Sequence, residues 1–356
     1  MGWFTTEAVA EFLAEAGPFL RAEPARNTVI LSVTANLRQQ TAAPSGGPEA
    51  PSRGTRHAST GHGGLQSIGE QSSGQQSSGQ QSSGQQSSGQ QSSGQQSSGL
   101  QSRGLRSSGQ PLFGWWRPDP PGTAGPGPVT GAFMHTPGFP VFLTAMSGQA
   151  AAELASLLAT VRPEVPGVNA PDQAAEAFKD TWRLRTGAAI AVHRLMRLHR
   201  LGTLVPPDPG PEGRPRVAVQ QDRDLLVKWF EAFAVEVDDA AAQDSAAAVD
   251  ERLGYGGITV WEAGGDPVSI AGVTRAVDGM VRVAPVYTPP ALRGRGYAGG
   301  ATAAVSQAAL DAGATQVVLY TDLANPTSNA LYERLGYHPV EDRVLLTFTP
   351  RDAAAR

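Results

Sequence analysis

Between Ala42 and Gln110 the chain carries a segment that no protein core can absorb. It is built of Gly, Ser, Gln and Pro, with almost no large apolar residue. Gln-Gln-Ser-Ser-Gly stands five times without error from Gln75 to Gly99, and degenerate copies flank it from Leu65 to Gly69 and from Leu105 to Gly109. A solenoid needs apolar positions in each repeat to bury against the next copy. These repeats have none, so nothing offsets the entropy of ordering them. The segment is predicted to be a disordered, solvated insert, read as a tolerated loop expansion. Gln-rich tracts can self-associate, but here Gly and Ser dilute the Gln. Whatever folds must therefore be assembled from the stretches on either side.

Those stretches are long enough for two domains in a chain of 356 residues. Apolar residues make up 40% and charged residues 17%, which allows a sizeable core even with the insert diluting both. The net charge of -4 gives no concentrated basic face, so nucleic acid is not expected as a partner. With no cysteine, disulfides, Cys-based zinc sites and a cysteine nucleophile are excluded. The six histidines form no His-x3-His pair, and no metal site is expected. No apolar run reaches the ~18 residues of a membrane span, and Met1 to Glu7 has no basic n-region. A cytoplasmic protein with no membrane partner is the expectation. Only Lys179 and Lys228 among the 28 basic residues are lysines, a bias that suits a high-GC bacterial coding sequence.

Apolar periodicity predicts two helices over residues 5–39, with a break at Gly17-Pro18. Beyond the insert it predicts short strands at 113–116 and 131–133, a buried strand at 139–146, helices at 148–160 and 170–186, and a strand, or else a helix, over 188–204. A Pro/Gly-rich linker covers 206–215. The second half reads as strand 216–219, helices 222–237 and 240–253, then strands 257–262, 268–276 and 280–287. Turns are expected at Asp266-Pro267 and Asp278-Gly279. A helix at 297–312, a strand at 316–322, a helix at 326–335 and a strand at 344–348 follow. The order is β-α-α-β-β-β-α-β-α-β.

One loop invites chemistry: Arg293-Gly294-Arg295-Gly296-Tyr297-Ala298. Two glycines let successive amides point into one concavity, and the next helix adds its free N–H groups and its dipole. That is an anion nest suited to a pyrophosphate, to which Arg293 and Arg295 add charge. Gly294-x-Gly296-x-x-Gly299, with Asp322 further on, also imitates the dinucleotide fingerprint of an oxidoreductase. Against that reading, Thr288 to Arg293 separates the strand from the first glycine, and the preceding strands form an antiparallel meander.

Downstream stands Asn325-Pro-Thr-Ser328-Asn-Ala-Leu331-Tyr332-Glu-Arg-Leu-Gly336-Tyr337. Together the two segments resemble the paired motifs of the GNAT N-acetyltransferase superfamily, R-x-x-G-x-A and N-x-x-[AS]-x-x-L-Y-x-x-x-G-[FY]. Arg293, Gly296 and Ala298 match the first. Asn325, Ser328, Leu331, Tyr332, Gly336 and Tyr337 match the second. The resemblance covers about 215–348, and it implies acetyl-CoA as co-substrate and an amine acceptor of unknown identity. The cofactor would lie where two parallel strands, ending at Thr288 and Asp322, splay apart. Backbone groups of Val286, Tyr287 and Thr288 would hold the pantetheine and the acyl carbonyl. Amides of Arg293, Gly294, Arg295, Gly296, Tyr297 and Ala298 would hold the pyrophosphate. Asn325, with Ser328 in the same motif, would bind the cofactor arm or fix the strand-to-helix turn. Tyr332 would protonate the departing thiolate or hydrogen-bond to it, or else be a core aromatic. Glu231, Glu236, Asp238 and Asp239 could attract a cationic acceptor, or simply form a solvated helix end. A non-catalytic acyl-CoA sensor is the other reading of the same motifs.

The first half resembles the same fold in element order and length, without either motif. The expectation is thus an α+β chain with a tandem GNAT-like fold, its mixed sheet flanked by helices. A degenerate domain covers 1–205 and contains the insert at 42–110. A catalytic N-acetyltransferase domain covers 212–356 and is expected to bind the cofactor unaided from about Pro211. The first half is left with packing or acceptor binding.

Overall fold

The computed structural model describes residues 2–42, 109–118, 127–238 and 244–351. The Gln/Ser/Gly-rich insert, apart from its last residues, lies outside them, as does Asp239.

The first half runs β1 (Gly2–Thr6), α1 (Val9–Ala22), α2 (Thr28–Ala42), β2 (Leu112–Arg117), β3 (Gly131–His135), β4 (Val141–Leu143), α3 (Gly148–Val161), β5 (Gly167–Pro171), α4 (Asp172–Thr186) and β6 (Ala189–Leu201). The second half runs β7 (Arg214–Val217), α5 (Arg223–Glu236), α6 (Ser245–Leu253), β8 (Ile258–Ala263), β9 (Asp266–Val273), β10 (Met280–Tyr287), α7 (Tyr297–Asp311), β11 (Gln316–Asp322), α8 (Pro326–Arg334) and β12 (Tyr337–Thr349). Two single 3-10 turns aside, the order β-α-α-β-β-β-α-β-α-β occurs twice. The fold is α+β, a tandem GNAT-like layout with a mixed sheet flanked by helices.

The strands form one sheet in the order β1-β2-β3-β4-β5-β12-β6-β11-β10-β9-β8-β7. Among the described residues only β4–β5 and β10–β11 are parallel pairs. The last strand of each half lies in the other half's part of the sheet. β12 pairs with β5, β6 pairs with β11, and the two long strands pair with each other from Tyr337↔Leu201 to Thr349↔Ala189. A chain starting at Pro211 therefore lacks the neighbour of β11, which the reading of a self-sufficient second half did not foresee. Sequence patterns are local, and strand exchange leaves none.

Helices cover both faces, so the inner strands read as continuous apolar runs. On β10 and β11 the alternation sorts the side chains. Met280, Val318 and Tyr320 face the cluster built with α1 and α2, while Val281, Val283, Val317 and Leu319 face α7 and α8. α3 and α4 close the first half over Val141, Val168, Val344 and Leu346. α5 and α6 pack on Ile258, Val260 and Ile270.

Several local expectations change. β1 and β5 are additional strands, each of five residues and too short to show a period. α1 passes through Pro18 without ending, held by the buried side chains of Phe12, Ala16 and Leu20. The β8–β9 turn is Gly264-Gly265 instead of Asp266-Pro267, since both glycines have positive φ (63° and 92°) and so meet the demand of a tight hairpin. β12 begins seven residues before the predicted Val344, because β6 offers it a partner that the sequence does not announce.

Candidate active site

β10 and β11 pair only from Met280–Arg282 with Gln316–Val318. Beyond that point β10 follows β9 to Tyr287↔Ile270, and β11 follows β6 to Asp322↔Met196. A register shift between Val283 and Val286 helps bend β10 away. The two parallel strands thus part toward their C-terminal ends, and a gap opens between Val286–Thr288 on one side and Asp322 on the other.

α7 starts at the mouth of this gap. Its N-cap is Gly296, in the left-handed region at φ 81°, and no side chain caps the helix. Gly294 is also left-handed, at φ 78°. The first intrahelical bond runs from Gly300 N–H to the Gly296 carbonyl, so the amides before it have no helical partner. Glycine is required here for the backbone turn and further on for space. A Cβ on Gly300 would sit 2.9 Å from Pro211 and from Trp261, and one on Gly299 would sit 3.1 Å from Leu331. The linker between the halves lies along this first turn of α7, tied down where Val205 N–H donates to the Leu335 carbonyl and Trp261 Nε1 to the Glu212 carbonyl.

The predicted residues fall around the gap, though not always as expected. The Tyr287 carbonyl accepts from Ser269 at 3.0 Å, and Thr288 Oγ1 meets Ser269 Oγ at 2.8 Å. Arg293 turns back from the nest: its Nε donates to the Thr288 carbonyl at 2.9 Å and its Nη2 to Glu236 at 2.5 Å. Arg295 is exposed at the loop tip. Asn325 and Ser328 close on each other. Asn325 Oδ1 accepts from Ser328 N–H at 3.1 Å, and Asn325 Nδ2 donates to Ser328 Oγ at 2.9 Å. Of the two roles considered for Asn325, this geometry carries the fixing of the turn into α8.

Tyr332, on α8, is 2% exposed and meets Tyr337 edge to face with centroids 6.0 Å apart. Burial pushes its phenol well above the ordinary value, and Tyr337 adds to the rise. Thr302 of α7 eases it slightly, yet the Thr302 hydroxyl completes no hydrogen bond of ordinary geometry. Tyr337 in turn shares a hydrogen bond with Ser306 at 2.7 Å.

Three residues near the ends of these strands, Arg194, His193 and Trp229, were not found by sequence reasoning. Arg194, on β6 of the first half, donates to the Val237 carbonyl at 2.5 Å and lies 3.5 Å from Asp322. His193 stands 3.8 Å from Asp238. Trp229 and Tyr287 pack at 6.0 Å beside the Arg293–Glu236 pair. Glu236 is thus committed to Arg293, while Asp238 stays exposed. An acidic helix end was legible; the strand facing it, from the other half, was not.

The first half repeats the parallel pair, at Val141↔Val168 and Phe142↔Asn169, and there a side chain spans the two strands just beyond the ladder. Its α3 begins on Ser147, whose own hydroxyl accepts from Ala150 N–H. Arg343, from β12, bridges β4 and β5. Its Nη2 donates to the carbonyls of Leu143 (2.7 Å) and Asn169 (3.0 Å), its Nε to Asn169 Oδ1 (2.9 Å), and the guanidinium lies 4.1 Å over Phe142. Among the described residues no side chain bridges β10 and β11 in this way, and no cluster of His, Asp or Glu is arranged to hold a metal.

Residues 223–337 match the family model described as the Acetyltransferase (GNAT) family. No curated protein sequence matches the chain significantly. Among solved structures, a GCN5-related N-acetyltransferase from Kribbella flavida is 20% identical, with 63% of this chain and 89% of that one covered at a TM-score of 0.47. A GCN5-related N-acetyltransferase from Sphaerobacter thermophilus is 15% identical, covering 67% and 80% at 0.47. A tandem GNAT protein from the clavulanic acid biosynthesis pathway is 15% identical, covering 68% and 82% at 0.43. The assignment rests on the family match, the two motifs and the parted strands they flank: residues 223–337 form a GNAT-family acetyltransferase domain.

Proposed function

We propose that the chain transfers an acetyl group from acetyl-CoA to the amine of an acceptor, by direct attack in a ternary complex. The observation that carries this reading is the parting of β10 and β11 beside an uncapped α7 that starts on Gly294-Arg295-Gly296. The free amides from Gly294 to Ala298 would take the pyrophosphate. The backbone of Val286 to Thr288 would hold the pantetheine and the thioester carbonyl. The acceptor amine must first lose any ammonium proton to water. The neutral nitrogen then attacks the carbonyl carbon, the C–S bond breaks, the nitrogen gives up its remaining excess proton to water, and the thiolate takes one up. Tyr332 is the candidate partner. Burial raises its phenol, which stays protonated but becomes a weaker acid, so it is suited to hydrogen-bond to the thiolate more than to surrender its proton outright. With no cysteine in the chain, no acyl-cysteine intermediate is available.

The acceptor would enter on the side of α5 and β6. There Asp238 and Asp322 offer negative charge to a cationic amine, and Arg194 brings a residue of the first half to the mouth of the gap. The first half then serves acceptor binding and packing, while its own parallel pair is held shut by Arg343. A screen of thiol release from acetyl-CoA against small amines and peptides tests the proposal. Release that depends on an acceptor supports it. Cofactor binding with no release on any acceptor would make the chain a sensor instead.

A further inference from the structure

The turn from β11 into α8, residues 322–325, ends one wall of the candidate cleft, and a side chain of α8 holds it from behind. Asn329 Nδ2 donates to the Asp322 carbonyl at 3.1 Å and to the Asn325 carbonyl at 2.9 Å. Asn329 Oδ1 accepts from Thr321 Oγ1 at 2.5 Å. Thr321 Oγ1 also meets His199 Nε2 at 3.1 Å. Thr321 on β11 and His199 on β6 of the first half are both fully buried. The same turn is tied to β6 a second time, where Leu323 N–H donates to the Leu195 carbonyl at 2.9 Å.

The protons of this chain can run in one direction only. Two carbonyls can only accept, so the Asn329 amide nitrogen faces them and its oxygen faces Thr321. The Thr321 hydroxyl gives its single proton to that oxygen and therefore accepts from His199. His199 thus carries its proton on Nε2, and burial, by lowering the ring from its ordinary value, keeps it neutral. Donation passes from His199 to Thr321, from Thr321 to Asn329, and from Asn329 to the turn. A residue of the first half in this way orients the side chain that clamps a cleft wall of the second.

We propose that Asn329, oriented by Thr321 and His199, is a positioning residue for the pantetheine arm of acetyl-CoA. It fixes the end of β11 before the cofactor arrives, which removes the cost of ordering that wall on binding. The inference rests on the placement of the cofactor between β10 and β11. It adds three residues to that placement, none of which stands at a position of the two motifs.

The test is calorimetric titration of the full chain with two ligands. One is acetyl-CoA; the other is adenosine 3′-phosphate 5′-diphosphate, the same nucleotide without the pantetheine arm, which the anion nest alone would hold. Asn329→Asp keeps the acceptor for Thr321 and loses both donors to the carbonyls. Its affinity for acetyl-CoA should fall by about 10-fold. Thr321→Val, of nearly unchanged size, should lower that affinity by about 3-fold, and Thr321→Ser, which keeps the hydroxyl, should match the wild type. The Thr321 pair keeps the test decisive if Asn329→Asp fails to fold. All variants should bind the armless nucleotide as the wild type does. Unchanged acetyl-CoA affinity in Asn329→Asp and Thr321→Val, or an equal loss for both ligands, would overturn the inference and leave the proposed function standing. A wild type that binds acetyl-CoA no better than the armless nucleotide would overturn it together with the placement of the cofactor.

Discussion

Tyr332 is 2% exposed, and Tyr332→Phe removes its hydroxyl with almost no loss of packing. If the hydroxyl serves the leaving thiolate, kcat should fall by about 10²–10⁴-fold while affinity for acetyl-CoA holds. Single-turnover kinetics check this, and an unchanged chemical step would leave Tyr332 as the packing partner of Tyr337. A second residue is set up by burial alone. His135, fully buried on β3, has no hydrogen-bond partner on either ring nitrogen, and burial lowers it to about 4. Glu164 raises it and Arg162 lowers it, each to a lesser degree. The unfolded chain binds a proton on this group near pH 6.5 and the folded chain near 4. Stability is therefore full above 6.5 and is lost as pH falls toward 4, by up to about 3 kcal/mol. Urea titrations across that window should show the loss, and His135→Phe should shrink it, leaving the part due to His199, which burial on β6 also lowers. At this scale the motif residues were readable, because nest glycines, a capping Asn and a helical Tyr are local chemistry. The buried Arg282, Arg252 and Arg343 were not, since nothing in an apolar strand or a short helix marks which arginine will be enclosed.

Elements position the site through their ends. α8 stops at Leu335, and Gly336 follows in the left-handed region at φ 92°, where a Cβ would lie 2.0 Å from the Thr203 carbonyl. The motif glycine is thus the point where the linker from β6 passes under α8, with Gly202 N–H donating to the Gly336 carbonyl. Gly336→Ala combines backbone strain with a main-chain clash and should cost about 3 kcal/mol or more. Chemical denaturation measures that. If the loss is under about 1 kcal/mol, the linker is loosely held and does not set the wall beside α7. Most elements of the second half were legible, since α5, α7, β11 and α8 carry clear periods and caps. β1, β5 and the early start of β12 were not. Each is stabilised by a strand distant in sequence, and pairing, unlike amphipathicity, is not written within the element.

For the whole molecule, the exchange of β6 and β12 makes the halves interdependent. Cutting at Pro211 removes β6, strips β11 of a neighbour and exposes Met280, Val318 and Tyr320, which pack with α1 and α2. Such a fragment should aggregate or unfold without a cooperative transition. A monomeric, cooperatively melting fragment would mean that the exchange is dispensable. The doubled element order also poses the central question, which is how many of the two parallel pairs take a cofactor. One opens beside an uncapped helix, and the other is bridged by Arg343 and begins its helix on a self-capping Ser147. Calorimetric titration of acetyl-CoA into the full chain answers it most directly. One site per chain is expected, lost in Gly296→Asp, which sets a negative charge in the nest, and retained in Ser147→Asp. Two sites per chain, or a single site indifferent to Gly296→Asp, would contradict the placement of the cofactor between β10 and β11.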